Sequence, residues 1–370
     1  MKTSVVSPKH DVKVFQDKLN KYKHAIEADI EAYSKQAERI TLQQYGAHSR
    51  VATDAYLSVL GRGGKRIRGA LTWLGYEMMG GKNPHMIVQA ARAIEMIHAY
   101  ILIIDDIQDR SLVRRGGPTA HVMLSDYHRF KGLAGSSDHF GQAIAMNAAL
   151  TGNHAAQMVL ANLPADEEAR LKVVSIMNRT MVITAHGQTN DIFNEVDGKV
   201  SEDDVNRVLE WKTAHYSFLN PLHVGMVLAG ADCSATDAIT DYAMHAGRAF
   251  QITDDILGTF GTEFDSGKSP MDDIKGGKRT VLTVHALENV DHSDKNFLLQ
   301  SLGNTKLGLN EFERCKDILQ ECGALKYAKA RASKHVSLAN QALEKEESRW
   351  SPEGTQFLRG LTQYLLVRSS

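Results

Sequence analysis

The segment Asp105-Asp106-Ile107-Gln108-Asp109 closes the apolar run IEMIHAYILII. Asp105 and Asp109 are four residues apart, so on a helix they share one face with Cβ atoms about 5–6 Å apart. Two carboxylates held one turn apart repel, and at the end of an apolar helix they need a compensating cation. Oxygen donors alone, with no His or Cys beside them, suit magnesium better than zinc. A solvated acidic turn would show the same five residues, so a single such motif does not decide the matter. A second acidic pair does: Phe250-Gln251-Ile252-Thr253-Asp254-Asp255 again ends an apolar run, 149 positions further on.

Basic residues cluster near both motifs. Gly63-Gly64-Lys65-Arg66-Ile67-Arg68 places two glycines ahead of a basic helix start, where backbone amides and cations together bind phosphate. Arg114-Arg115-Gly116 follows the first acidic motif within a short loop, and arginine forks match phosphate oxygens two at a time. Lys268 and Lys278-Arg279 flank a late polar loop. Net charge is only -1, so an anion site has to come from such local clusters. Any one cluster is more often a solvated face. Together with two acidic pairs they point to diphosphate chemistry, in which two helix ends face one cavity and hold three divalent ions bridged by a diphosphate.

These residues need long helices to position them. Seven prolines in 370 residues leave room for such helices. No alternating apolar-polar run bounded by turns suggests a sheet, and no internal repeat is evident. Val14, Phe15, Leu19, Tyr22, Ile26 and Ile30 give an amphipathic first helix over 10–45. Asn83-Pro84 reads as the N-cap and first position of a helix running to about Ser111. Further helices are expected over 50–60, 65–80, 140–162, 166–196, 202–216, 218–230, 235–260 and 278–290, with a helical region over 310–370. Loops are expected at 131–137 and 261–277, the second long enough to be functional. The expected fold is all-α, one domain over 1–370 with a motif-bearing core at about 50–290 and a deep central cavity.

Composition bounds the rest. Hydrophobic residues make up 43% and charged residues 24%, which gives a sizeable core and excludes a disordered chain. Cys233, Cys315 and Cys322 lack metal-finger spacing and read as reduced thiols of a cytoplasmic protein. The N-terminus turns charged before any apolar core, unlike a signal peptide. The run Ile94–Ile104 carries Glu95 and His98 and is too short to span a bilayer. Neither nucleic acid nor a membrane span is expected.

The motifs in order, GGKRIR, His98 before DDIQD, RRGGPTAH, GQTND at 187–191, Lys212-Thr213, FQITDDILGTFG and GKSPMDDIKGGKRT, resemble the trans-isoprenyl diphosphate synthases, also called polyprenyl synthetases, from about Gly63 to Thr280. The single Tyr100 five residues before Asp105, the uninterrupted DDxxD and Gly258 in place of a fifth acid are similar to the archaeal-type geranylgeranyl diphosphate synthases. The resemblance implies roles by position. Asp105 and Asp109 would bind two magnesium ions on the allylic diphosphate, and Asp254, with Asp255 beside it, would bind a third. Arg114, Lys212 and Lys268 would hold the allylic diphosphate. Lys65, Arg68, His98 and Arg115 would form the isopentenyl diphosphate pocket, with His98 a phosphate donor rather than a base. Thr213 and Gln251 would lie beside the allylic carbon, and Lys278 would contact substrate. Allylic partners would be dimethylallyl, geranyl or farnesyl diphosphate, and the chain would form a homodimer.

Helix geometry adds a reading of product length. Tyr100 lies about 7.5 Å deeper along the helix than Asp105, at 1.5 Å per residue. It sits 140° round from the Asp105 face, while Ile101, four residues before, is nearer that face but slimmer. One aromatic there suggests an intermediate floor and a C20 product, geranylgeranyl diphosphate, with C15 or longer products as the alternatives. Departures from the family pattern are Ile104 before the acid pair, Met146-Asn147 in the helix after RRG, and an apparent insertion over 129–142. A terpene cyclase shares the DDxxD motif but needs no second diphosphate pocket. A non-catalytic synthase subunit would have lost one acidic motif.

Overall fold

A computed structural model describes residues 8–262 and 269–368. Among these, all regular structure is helical except one two-stranded hairpin. The helices are α1 Pro8–Gly61, broken at Gly46, α2 Ile67–Met78, α3 Pro84–Gln108, α4 Ala120–Phe130, α5 Ser137–Ala161, α6 Glu167–Val196 and α7 Glu202–Val208. A π-helical segment, Leu209–Leu219, leads into α8 Asn220–Leu228. There follow α9 Cys233–Ala238, α10 Thr240–Phe260, α11 Asp272–Gly276, α12 Val281–Asn289, α13 His292–Ser301, α14 Leu309–Glu321, α15 Ala324–Lys345 and α16 Pro352–Arg368.

The chain divides into two compact units. The first comprises residues 19–175 and 224–230 and is built round α3. This helix is apolar on nearly every side, as a helix buried by neighbours all round must be. Among the described residues it alone is long and apolar enough to cross a membrane, yet 67% of that window is buried inside the fold. It starts as the sequence indicates: the Asn83 side chain accepts from the Met86 N–H at 3.1 Å, and Pro84 occupies the first position. Against α3 pack α2 and α5. Tyr22 of α1 stacks on Trp73 of α2 with centroids 5.2 Å apart and donates to Glu77 at 2.6 Å.

The second unit holds residues 176–223 and 231–370 together with the first turns of α1. Its axis is α10, packed against α15 and the π segment. The core runs through Ile252, Ile256, Val281, Phe312 and Ile318, all buried. Phe15 meets Phe357 edge-on at 4.9 Å, and the Tyr242 hydroxyl donates to the Leu358 carbonyl at 2.8 Å. Both contacts tie the chain's two described ends into this unit.

The structure departs from the expected elements at several places. The helices expected over 10–45 and 50–60 form the one element α1, a two-stranded hairpin forms at 113–118, α11 lies inside the expected 261–277 loop, and α13 falls where no element was expected. The helix over 202–216 changes to i→i+5 pairing at Leu209, a widening that recurs at functional sites. The helix α4 was not expected, and the region at 129–142 consists of its last turn, a short loop and the start of α5. The tail separates into α14, α15 and α16.

Candidate active site

In the first unit, α3 stops three residues before the sequence suggests. Arg110 takes the left-handed conformation (φ 54), its N–H bonding the Ile107 carbonyl at 3.3 Å, while the Ser111 N–H bonds the Asp106 carbonyl at 2.9 Å. This is the paired closure that ends many helices, usually with glycine at the turning position. Asp105 and Asp109 therefore lie in the last turn of α3, and the Asp109 N–H bonds the Asp105 carbonyl at 2.8 Å.

The hairpin that follows separates two adjacent arginines. β1, Val113–Arg114, pairs antiparallel with β2, Gly117–Pro118. The two linking residues, Arg115 (φ 52) and Gly116 (φ 71), both have positive φ, as a two-residue hairpin turn that matches strand twist requires. Arg114 turns to the acidic motif: its Nε donates to Asp106 Oδ1 at 2.8 Å, and its Nη2 donates to Asp105 Oδ2 at 3.2 Å and to Asp106. Arg115 turns the other way, donating Nη1 to the Gly63 carbonyl and lying with Nη2 3.4 Å from His98 Nε2. Burial pushes the Arg115 guanidinium down to about 10; Glu95 opposes this, and Arg66, Arg114 and Arg68 add to it.

Arg115 shares His98 with Arg68, whose Nη1 is 3.3 Å from the same Nε2. Arginine can only donate, so His98 Nε2 accepts and the ring proton lies on Nδ1. Burial, then Arg68, Arg115, Arg114 and Arg66, hold the His98 pKa well below the usual imidazole value. The ring is neutral, and any donation to a phosphate falls to Nδ1. Lys65 is exposed and Arg68 half-buried at the same turn. Further down α3, Tyr100, Ile101, Ile104 and Asp105 are only half-buried on a helix otherwise largely enclosed. A groove of about 350 Å³ between Tyr33, Gln89, Arg92 and Val159 also touches α3. Gln89 is sixteen residues before Asp105, about 24 Å along the axis, so that groove is no part of the acidic site.

In the second unit, Asp254 and Asp255 lie one turn from the end of α10. Burial pushes the Asp255 carboxyl up to about 8; a hydrogen bond from Gln251 opposes this, and Asp273, Asp191 and Asp254 reinforce it. Gln251 donates Nε2 to Asp255 Oδ1 at 2.7 Å and accepts from the Thr213 hydroxyl at 2.7 Å. Thr213 and Lys212 both stand on the π segment. Lys212 and Lys278 converge on one acceptor, Asp191 Oδ2, at 2.6 and 2.9 Å, and Lys278 also pairs with Glu195 at 2.9 Å. Burial raises the Asp191 pKa, but the two lysines outweigh it and hold the carboxyl at about 2. Lys268 lies outside the described residues.

Two further contacts in this unit concern the acid pair. A Cβ built on Gly258 would lie 2.3 Å from Asp273 Oδ2, so the Asp273 carboxylate occupies the space beside Gly258. Arg368, in the last turn of α16, pairs with Asp254 at 3.3 Å. Asp191, Asp273 and Arg368 were given no role from the sequence. Asp191 ends the GQTND motif and Asp273 lies within GKSPMDDIKGGKRT, so both carried a sequence signal; Arg368 had none.

A family model for polyprenyl synthetases matches residues 49–319. The chain belongs to the polyprenyl synthetase family. It is a prenyltransferase of the trans-isoprenyl diphosphate synthase class. It is 31% identical to a geranylgeranyl diphosphate synthase of Saccharolobus solfataricus over 281 residues, 76% of this chain and 80% of the relative. It is 29% identical to a geranylfarnesyl diphosphate synthase of Aeropyrum pernix over 317 residues, 85% of this chain and 93% of that one. A crystal structure of geranylgeranyl pyrophosphate synthase from Corynebacterium glutamicum, complexed with isoprenyl diphosphate and magnesium, superposes with a TM-score of 0.90 at 28% identity, covering 95% of this chain and 99% of the other. The fold is thus that of the isoprenoid synthases. Family members at similar identity differ in the length of the chain they make.

Proposed function

We propose that this synthase condenses isopentenyl diphosphate with allylic diphosphates and releases mainly geranylgeranyl diphosphate. The observation that carries the reading is the division of Arg114 from Arg115. One faces carboxylates suited to a metal-bound diphosphate, and the other meets Arg68 at the neutral His98, with Lys65 at the same turn, a set that suits a diphosphate held without a metal. Two kinds of anion site within one unit are what a two-diphosphate reaction needs, and a cyclase has no use for the second.

The donor sets fit magnesium. Among the described residues no three carboxylate, thiol or imidazole groups converge on one point, but magnesium is commonly held by one or two carboxylates with phosphate oxygens and water. The acid pair at Asp254 and Asp255, with Asp273 and Asp191 near enough to raise the Asp255 pKa, is a set of like charges that a divalent ion would relieve. Asp105, Asp109 and Asp254 would hold three ions, which when bound neutralise charge on the leaving diphosphate.

The chain's residues then do the following. Arg114, Lys212 and Lys268 stabilise the diphosphate as its bond to the allylic carbon breaks. Asp191 fixes the directions of Lys212 and Lys278. Ile101 and Ile104 line the α3 face above Tyr100 and keep water from the allylic cation. The π bond of isopentenyl diphosphate attacks that carbon, forming one carbon–carbon bond. The proton then leaves to the departing diphosphate, since His98, neutral and held at Nε2 by two arginines, is not placed as a base. Tyr100 would set the floor for a C20 chain. The test is incubation with labelled isopentenyl diphosphate and each of dimethylallyl, geranyl and farnesyl diphosphate. C20 product from all three supports the reading; a cyclic hydrocarbon or no product from any of them refutes it.

A homodimer is part of the same proposal. Met146, Leu150 and Met158 of α5 are 47%, 53% and 66% exposed and recur at four- and eight-residue spacing, opposite the buried Ala145, Ala149, Gly152 and Ala156. Such a stripe is suited to a second copy. A monomer mass at working concentration would count against it. Three free thiols fit a reducing cytoplasm.

A further inference from the structure

The Lys65–Arg68 turn is anchored by a carboxylate to which the reaction assigns nothing. Glu95 stands on α3 and is 2% exposed. Its Oε1 accepts the Gly69 N–H at 2.9 Å and its Oε2 accepts from Arg66 Nη1 at 3.3 Å. Arg66 is equally enclosed: its Nη2 donates to the Leu60 carbonyl at 2.7 Å, and its Nε lies 3.6 Å from Glu27 Oε1. A carboxylate and a guanidinium so deep give up their hydration, and an apolar pair would often serve stability as well. Their presence therefore asks for a reason other than stability.

The backbone supplies one. Arg66 has φ 52 and precedes the first residue of α2. A long side chain in this left-handed region is strained, and such strain persists only where surrounding contacts fix it, often at binding sites. The contacts that fix it here are the Arg66 guanidinium on Glu95 and on the Leu60 carbonyl. Glu95 also draws α2 against α3: a Cβ on Gly69 would lie 3.2 Å from Glu95 Cγ and 3.2 Å from the Ala91 carbonyl oxygen. Lys65 and Arg68 flank this turn, so its dihedrals decide where their charges point. Glu95 further opposes the downward push of burial on the Arg115 guanidinium.

We propose that Glu95 is a positioning residue for the isopentenyl diphosphate pocket, fixing the left-handed turn at Arg66 and through it the directions of Lys65 and Arg68. The inference rests on the reading of that pocket given above. Glu95→Gln keeps an oxygen for the Gly69 N–H and loses the ion pair with Arg66. The expected result is a KM for isopentenyl diphosphate raised at least tenfold, with the allylic KM and kcat within twofold of wild type. An unchanged KM, or a parallel rise in both KM values, overturns the proposal. If Glu95→Gln does not fold, Glu95→Asp keeps the charge one methylene short, and the same split at three- to tenfold is expected; its absence overturns the proposal equally. Lys65→Ala separates the two levels. If it leaves the isopentenyl KM unchanged, the pocket reading itself fails; if it raises that KM while the Glu95 variants do not, only the positioning role falls.

Discussion

Replacing each of the two hairpin arginines by alanine should affect different substrates. Arg115 reaches the Gly63 carbonyl and His98, so Arg115→Ala removes a fork from the isopentenyl side. Hydrogen bonds to charged groups contribute about 1.5–3 kcal/mol each, and a two-point contact at about 3 kcal/mol corresponds to roughly 150-fold in the KM for isopentenyl diphosphate. Arg114→Ala should instead raise the allylic KM and lower kcat, and it should also destabilise the fold. The Asp106 side chain is 1% exposed and Arg114 is its ion-pair partner. Removing one partner of a buried pair costs about 3–5 kcal/mol, which predicts a fall in Tm of at least several degrees, partly restored by magnesium. Steady-state kinetics with each substrate varied in turn, together with thermal melts, measure both effects. Equal changes in both KM values for either variant would show that the hairpin does not sort two diphosphates.

Asp105→Ala and Asp109→Ala should each lower turnover by orders of magnitude, and wild-type activity should vanish in excess chelator; full activity there would exclude a metal role. Tyr100→Ala should lengthen the product while leaving the first condensation intact, read by chromatography of dephosphorylated products; an unchanged distribution would mean that Tyr100 is packing only. Acid should loosen the α10–α15 contact, where His245 Nδ1 and His335 Nδ1 are 3.1 Å apart and can share one proton. Burial, then His245, Arg248, Arg331 and Lys334, push His335 down to about 4. A histidine pKa depressed on folding gives stability that is present above about 6.5 and lost as pH falls toward 4. After allowance for solvent screening of this half-buried pair the effect is about 1–2 kcal/mol. Tm should drop over that window, and less so in His335→Gln; parallel pH profiles of the two proteins would refute the assignment.

Periodicity explains which parts of this fold can be read from the sequence. The start of α3 was plain because Asn83-Pro84 is a local signal followed by an apolar run. Its end was less plain, because Arg110 makes the left-handed turn that glycine usually marks. The helix α4 is amphipathic but short, and its buried face, Ala120, His121, Leu124, Ser125 and His128, mixes polar with apolar residues, so no apolar run marks it in the sequence. The π segment escaped because i→i+5 pairing leaves no 3.6-residue signature. For the site, residue types and order marked the acids and bases that would touch substrate. The residues that hold those side chains were not legible. Glu95 appeared only as an interruption of an apolar run, Asp191 as the end of one motif, and Asp273 as a member of another, with no partner indicated for any of them. Each owes its role to a neighbour far away in sequence, and spacing along the chain carries no record of that.

Calorimetric titration of the two diphosphates would settle whether one chain holds both. An unreactive thiolo analogue of farnesyl diphosphate should bind one per chain only with magnesium present, and isopentenyl diphosphate should then bind one per chain to that complex. Arg115→Ala should abolish the second event and spare the first. A single diphosphate bound per chain under all conditions, or loss of both events in Arg115→Ala, would contradict the two-site reading.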